Sequence, residues 1–258
     1  MKRLVLITAA VVTFATFANA ADLPPPPEAS APMYKAPPPP PYWTGCYIGA
    51  GGGYGMWNQD TSIVGIGATN TNGGRGWFGT GQFGCDYQFN SIVIGAFGDY
   101  EFSGLSGTLA LPSASIQGSE NESAAWAAGA RAGLLVTPKF LTYVSGGFTQ
   151  ARFDQVNFAS SATSVATGTD VGRNTYSGWF LGSGFEYALD SLPLLSIPLP
   201  PGLFIKTEYR YSSFSSANLP ISTTATGLPT GFSVSSQKSD QTISTELVWR
   251  FNFLNPGY

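Results

Sequence analysis

From Trp43 onward the chain is a succession of segments in which apolar and polar residues alternate at every second position, the period of an extended strand. The pattern predicts eight strands, at about Trp43–Trp57, Arg75–Gln88, Ile92–Phe102, Ser123–Val136, Phe140–Phe153, Asn174–Leu189, Phe204–Ser213 and Asp240–Phe253. In FIKTEYRYSSF, for example, Lys206, Glu208 and Arg210 share one face, and Ile205, Thr207, Tyr209 and Tyr211 share the other. That segment alone does not say which face is inside. A soluble sandwich would turn the tyrosines inward, and a membrane barrel would turn them outward to lipid.

The connectors decide between these. Long stretches rich in Ser, Thr, Asn and Gly, such as SSANLPISTTATGLPTGFSVSSQ, alternate with the tight connectors FNS and TPK. Tight turns at one end and long polar loops at the other are the layout of an outer-membrane barrel. Two segments strain the pattern. SENESAAWAAGARAGLLV is alanine-rich enough to be a helix, but Gly129 and Gly133 weaken one, and Arg131 alternates in phase with Gly129, Gly133 and Leu135, so a strand is expected. Asp190–Leu203 is apolar and proline-rich where a short turn belongs, and suggests a lid at the barrel rim or the membrane surface.

Sorting each predicted strand by face places the large aromatics on one side. The other side is rich in glycine and carries Asp99, Glu101, Arg131, Glu186, Lys206, Glu208, Arg210, Glu246 and Arg250, in which the two signs nearly cancel. A Lys or Arg facing lipid near the bilayer midplane costs about 2–4 kcal/mol, so the charged face is expected inside a narrow barrel, paired and filling it. Run GAGGGYG lacks the spacing of a phosphate loop and reads as a crowded barrel wall.

Composition supports the same class. Charged residues make up 10% of the chain, aromatics 14%, and glycine contributes 32 residues. The first residues have the basic start, apolar run and Ala-x-Ala site of a secretory signal peptide, with cleavage between Ala20 and Ala21. Losing Lys2 and Arg3 would move the formal charge from −3 to −5, which removes any electrostatic basis for nucleic-acid binding. Residues 21–42 are proline-rich and predict an extended periplasmic spacer, with a cell-wall or partner contact as the second reading, ahead of a barrel over 43–258.

The segments YWTGCYIGAGGGYG, GWFGTGQFGCDYQF, IGAFGDYEFS, GWFLGSGFEYALD, IKTEYRYSSF and TELVWRFNF together resemble the small outer-membrane immunogenic (RopB-like) family of Gram-negative bacteria, whose members carry an OmpA-like eight-stranded β-barrel and are labelled porin family or surface antigens. The resemblance runs from about Trp43 to Phe253. It implies that Asp99 and Glu101 match the family's acidic pair, Glu186 its GxEY glutamate and Glu208 its EY step. It also implies a terminal aromatic as the assembly signal, read at Phe253 or, because LNPGY follows, at Tyr258.

Chemistry is largely excluded. The chain has no histidine, which removes histidine-dependent triads and metal sites, so no enzymatic activity, metal or cofactor is expected. The carboxylate pairs Asp99 with Glu101 and Glu208 with Glu246 have basic neighbours that favour ion pairing over acid–base catalysis. Cys46 and Cys85 fall on the apolar face of adjacent predicted strands and are expected to form a cross-strand disulfide; two lipid-facing thiols are the alternative. The expected function is an integral outer-membrane barrel with both termini periplasmic, four loops outside, and a structural or surface role in envelope integrity, antigenicity or adhesion. Its expected partners are outer-membrane lipid and the barrel-assembly machinery. A small-solute channel and a soluble lipocalin-like ligand binder are the competing readings.

Overall fold

The computed structural model describes residues 43–251, apart from 66, 113, 114, 190 and 193–196. The signal-cleavage residues Ala20 and Ala21, the proline-rich spacer, and Phe253 and Tyr258 lie outside the described residues. The described chain contains β1 (Gly45–Ile63), β2 (Thr69–Phe89), β3 (Ile92–Ala110), β4 (Ile116–Thr137), β5 (Phe140–Phe153), β6 (Val156–Ser160), β7 (Ala166–Val171), β8 (Asn174–Ala188), β9 (Ser191–Leu192), β10 (Ile197–Pro198), β11 (Leu203–Phe214), β12 (Ala217–Thr223) and β13 (Pro229–Phe251).

Eight of these close a ring. Antiparallel pairing runs β1-β2-β3-β4-β5-β8-β11-β13, and β13 returns to β1 with Cys46 opposite Phe251 and Ile63 opposite Val234. Closure leaves none of these eight strands with an unpaired edge among the described residues. The alanine-rich segment is strand β4, as its alternation predicts.

The strands run further than the apolar pattern indicates. Toward one end the ring continues through β6, β7 and β12, which pair β4-β6, β6-β7, β7-β12 and β12-β13. Each of these prolongs a neighbouring strand past a two-residue break: Asp154–Gln155 between β5 and β6, Gly172–Arg173 between β7 and β8, and Ser215–Ser216 between β11 and β12. The serine- and threonine-rich stretches are therefore mostly barrel wall. What remains at this tip end is four five-residue connections, 64–68, 111–115, 161–165 and 224–228. Three are closed by hairpin bonds, in which Leu111, Ser160 and Thr223 amides donate to the carbonyls of Ile116, Val165 and Leu228. The period of two is faint here because Ser, Thr, Asn and Gln fill most positions on both faces of these short segments, and only scattered residues such as Val156, Phe158, Ile221 and Val234 mark the inward phase.

At the opposite, base end, β2 turns into β3 through Asn90 and Ser91, with Asn90 in the left-handed region at φ 54°. Pro138 and Lys139 join β4 to β5. The Asp190–Leu203 connector contains the short hairpin β9–β10, with Ile197 opposite Leu192; its predicted role as a lid falls largely on residues outside those described.

Around the ring's outside lies an apolar belt edged by aromatics. Trp77 and Phe102 are 74% and 70% exposed. Tyr54–Trp77, Tyr100–Phe102, Trp126–Phe148 and Trp179–Tyr211 pair along the tip-side edge, with ring centroids 4.9–6.0 Å apart. Phe140–Phe185 and Trp249–Phe251 mark the base-side edge. Inside, the wall is tight where strands approach. A Cβ on Gly53 would meet the Phe78 ring at 2.5 Å and collide with the Ile243 carbonyl, which is why this crowded β1 position takes glycine. Gly53→Val is expected to destabilise the folded barrel by about 1–3 kcal/mol, measured as a lower urea midpoint in detergent micelles.

The candidate functional site is the filled barrel interior

Inward-facing residues of the ring stack in layers, and each layer pairs charges under aromatic rings. The base layer joins β2, β4, β8 and β13. Arg131 donates to Asp86 at 2.5 Å and to Glu186 at 3.1 Å, and Arg250 donates to Asp86 at 2.6 Å and to Glu186 at 2.8 Å. Two guanidiniums and two carboxylates thus form a closed square, and Glu186 is fully buried. Rings stack on both cations: Tyr47 lies 4.7 Å from the Arg131 guanidinium and 4.8 Å from that of Arg250, with Trp43 and Phe204 each 5.0 Å from Arg250.

Above it, Arg210 grips Asp99 with two nitrogens at 3.0 and 2.8 Å, and Glu208 at 3.0 Å. Lys206 donates to Gln82 at 2.8 Å and sits 3.4 Å from Glu208 and 3.6 Å from Glu246. Gln82 in turn donates to Glu246, and the Tyr143 hydroxyl donates to Glu208 at 2.8 Å. Glu101 is 3.8 Å from Arg210.

Nearer the tip, Lys238 is caged by Phe153, Trp57 and Tyr176 at 3.9, 4.4 and 5.2 Å and donates to Glu120 at 2.8 Å. It stands opposite Gln59 on β1 and donates to it, beyond Tyr54 and Ile243, where the apolar belt ends. Burial lowers the Lys238 amine to about 8 against the raising effect of Glu120, whose own carboxyl is raised by burial. Over this cage Leu109, Val156, Phe158, Val171, Ile221 and Val234 form an apolar cap.

All nine sequence-predicted charges, Asp99, Glu101, Arg131, Glu186, Lys206, Glu208, Arg210, Glu246 and Arg250, face the interior in the two lower layers. Two expectations need correction. The aromatics do not all face outward, since Tyr47, Phe97, Tyr143, Phe180 and Phe204 lie inside, where their faces cover the buried cations. The interior is also not near balance. Asp86, Glu120, Glu122, Asp240 and Lys238 join the nine, so that below the cap five buried cations face nine buried carboxylates. Asp86 alternates in phase with Gln82 and Gln88 and was legible as inward; Asp240 opens the predicted last strand in phase with Thr242 and Glu246, and Lys238 continues that phase into a serine-rich stretch that reads as loop. Cys46 and Cys85 face outward at directly opposed positions of β1 and β2 and are joined as a disulfide.

A closed antiparallel ring with an apolar belt outside and a charged, aromatic-packed interior defines a transmembrane β-barrel. The chain belongs to the outer membrane protein beta-barrel domain family, whose model matches residues 8–251, and it is an outer-membrane protein. It is similar to the 31 kDa outer-membrane immunogenic proteins of Brucella melitensis and Brucella suis, at 29% identity over 232 residues, spanning 85% of this chain and 90% of each relative. Among solved structures, the outer membrane protein OprG from Pseudomonas aeruginosa aligns with a TM-score of 0.45 at 12% identity, covering 82% of this chain and 98% of that one.

Proposed function

We propose that this protein is a closed, non-enzymatic envelope barrel whose interior is a structural plug and whose tip end is displayed at the cell surface, with the tight base turns and both termini in the periplasm. The observation that carries the reading is the filled interior: paired charges and rings occupy successive layers, and an apolar cap closes the tip side. An eight-stranded ring is narrow enough for side chains to fill it. The outer membrane's lipid surrounds the belt, and the barrel-assembly machinery is its partner during insertion. The proline-rich segment is a tether in the periplasm, with cell-wall contact as its candidate role.

Surface display agrees with the immunogenic character in the names of the Brucella relatives. The tip connections carry no Asp, Glu, Lys or Arg, a composition suited to solvated, variable surface more than to a specific charged ligand. Purified protein in planar bilayers is expected to give no steady conductance; sizeable, sustained single-channel currents would instead make it a small-solute channel. Protease added to intact cells is expected to cut only at tip connections, and cleavage at the base turns would reverse the orientation.

A further inference from the structure

The acid surplus is concentrated in one part of the interior. In the base layer two guanidiniums answer Asp86 and Glu186, and near the tip Lys238 answers Glu120. Among the described residues, the other six buried carboxylates, Asp99, Glu101, Glu122, Glu208, Asp240 and Glu246, have only Lys206 and Arg210 within their layer, and Lys238 reaches Glu122 through its charge from beyond ion-pair distance. Arg210 is committed to Asp99 and Glu208, and Lys206 to Glu208 and Glu246. Glu122 and Asp240 have no cation at ion-pair distance among the described residues. Asp240 Oδ1 and Glu122 Oε2 are buried without any hydrogen-bond partner, although native folds pair nearly all such atoms.

Asp240 is 6% exposed and lines a small enclosed cavity of about 10 Å³, together with Glu101, Thr149, Arg210, Ser212 and Thr242. That is room for about one water-sized occupant. Glu122 feels the charge of both Asp240 and Glu101 from beside it. The carboxylates and hydroxyls that line it, Asp99 among them, are hard oxygens, the ligand type of sodium, magnesium and calcium, and they face one fixed cation, the Arg210 guanidinium already held by Asp99 and Glu208.

We infer that this cavity binds one small hard cation. Asp240 and Glu101 are its carboxylate ligands, and Glu122 lowers its energy through charge without completing the shell. No group of three or more carboxylates among the described residues is arranged as a metal-binding cluster, so the Thr149, Ser212 and Thr242 hydroxyls and water supply the remaining oxygens. The ion enters as the barrel closes, because the cap and the lower layers leave it enclosed. This inference rests on the plug reading of the interior.

The test refolds the full mature protein into detergent micelles with calcium, magnesium, sodium or choline chloride at matched ionic strength. The temperature at which heat-modifiable gel migration is lost is then compared. At least one of the three metal ions is expected to raise that temperature by roughly 3 °C or more over choline in wild type and to have no such effect in Asp240→Asn. Equal stability in all four salts, or an equal shift in Asp240→Asn, overturns the site. If Asp240→Asn does not fold, Glu122→Gln is expected to lose at least half of the shift, and an undiminished shift in Glu122→Gln overturns the site. Protons are the rival compensation. Stability that rises as pH is lowered from 8 to 6 yet ignores the metal ions would assign the cavity to a proton. Bilayer conductance of the same samples reports on the plug separately, so a closed barrel indifferent to cations defeats the cation site alone.

Discussion

Glu186→Leu is expected to cost the folded barrel about 3–5 kcal/mol, the range for breaking a buried ion pair from one side. Glu186 is fully buried and accepts from both Arg131 and Arg250, so its loss leaves one carboxylate, Asp86, between two guanidiniums under the Trp43, Tyr47 and Phe204 rings. Neither arginine can shed its charge at accessible pH, and none of the described neighbours in that layer supplies a replacement anion. The measurement is the urea midpoint of the refolded protein, followed by tryptophan fluorescence and by gel migration. The companion variant Asp86→Leu/Arg131→Met/Glu186→Leu/Arg250→Met should recover most of the loss, because an apolar layer of similar volume has no desolvation cost to offset. An unchanged midpoint in the single variant would mean that the square of charges does not hold the base of the barrel.

That square also shows what the sequence made legible and where it stopped. Strand periodicity put Arg131, Glu186 and Arg250 on one face: Glu186 lies between Phe185 and Tyr187 and Arg250 between Trp249 and Phe251, while Arg131, between Ala130 and Ala132, alternates in phase with Gly129 and Gly133. Periodicity says which way a side chain points and nothing about height along the barrel. It therefore could not divide the charges into layers or show that Asp86, from a different strand, completes the square.

The aromatics misled for a related reason. In a membrane protein a phenylalanine or tyrosine satisfies either face, since lipid and a cation-lined interior both accept an apolar ring, the second through its π face. Phe97 and Phe180 sit in phase with Asp99 and Gly182 and were open to an inward reading by phase alone. Residue type alone, which sends large aromatics to lipid, does not distinguish them from their outward neighbours Tyr100 and Trp179.

The wall above the belt failed on contrast. Val234, Ser236, Lys238 and Asp240 occupy successive inward positions, but Ser233, Ser235, Gln237 and Ser239 between them are polar too. A strand with water outside and a polar interior has no hydrophobic alternation to detect. The cost of that blind spot was functional, because it hid Lys238, Glu120 and Glu122, and with them the tip-side layer of the interior.

Removing the Cys46–Cys85 bridge is expected to lower stability by about 2–4 kcal/mol, through release of chain entropy in the unfolded state. The two cysteines are 39 residues apart and face each other across β1 and β2 near the base end, where β1 begins. On its other side β1 closes the ring against β13, with Cys46 opposite Phe251, so the bridge anchors the first residues of a strand whose second partner comes from the far end of the chain. Denatured, unreduced protein should titrate no free thiols, and reduced protein should titrate two; two thiols before reduction would remove the premise. Cys46→Ser/Cys85→Ser should refold to the same heat-modifiable band but unfold at lower urea. Exchange through global unfolding should rise around all eight strands in line with the lost stability, with a further increase at the first residues of β1 and their partners, because the bridge ties that strand start covalently to its neighbour. No further increase there would mean that the bridge acts only on the unfolded chain.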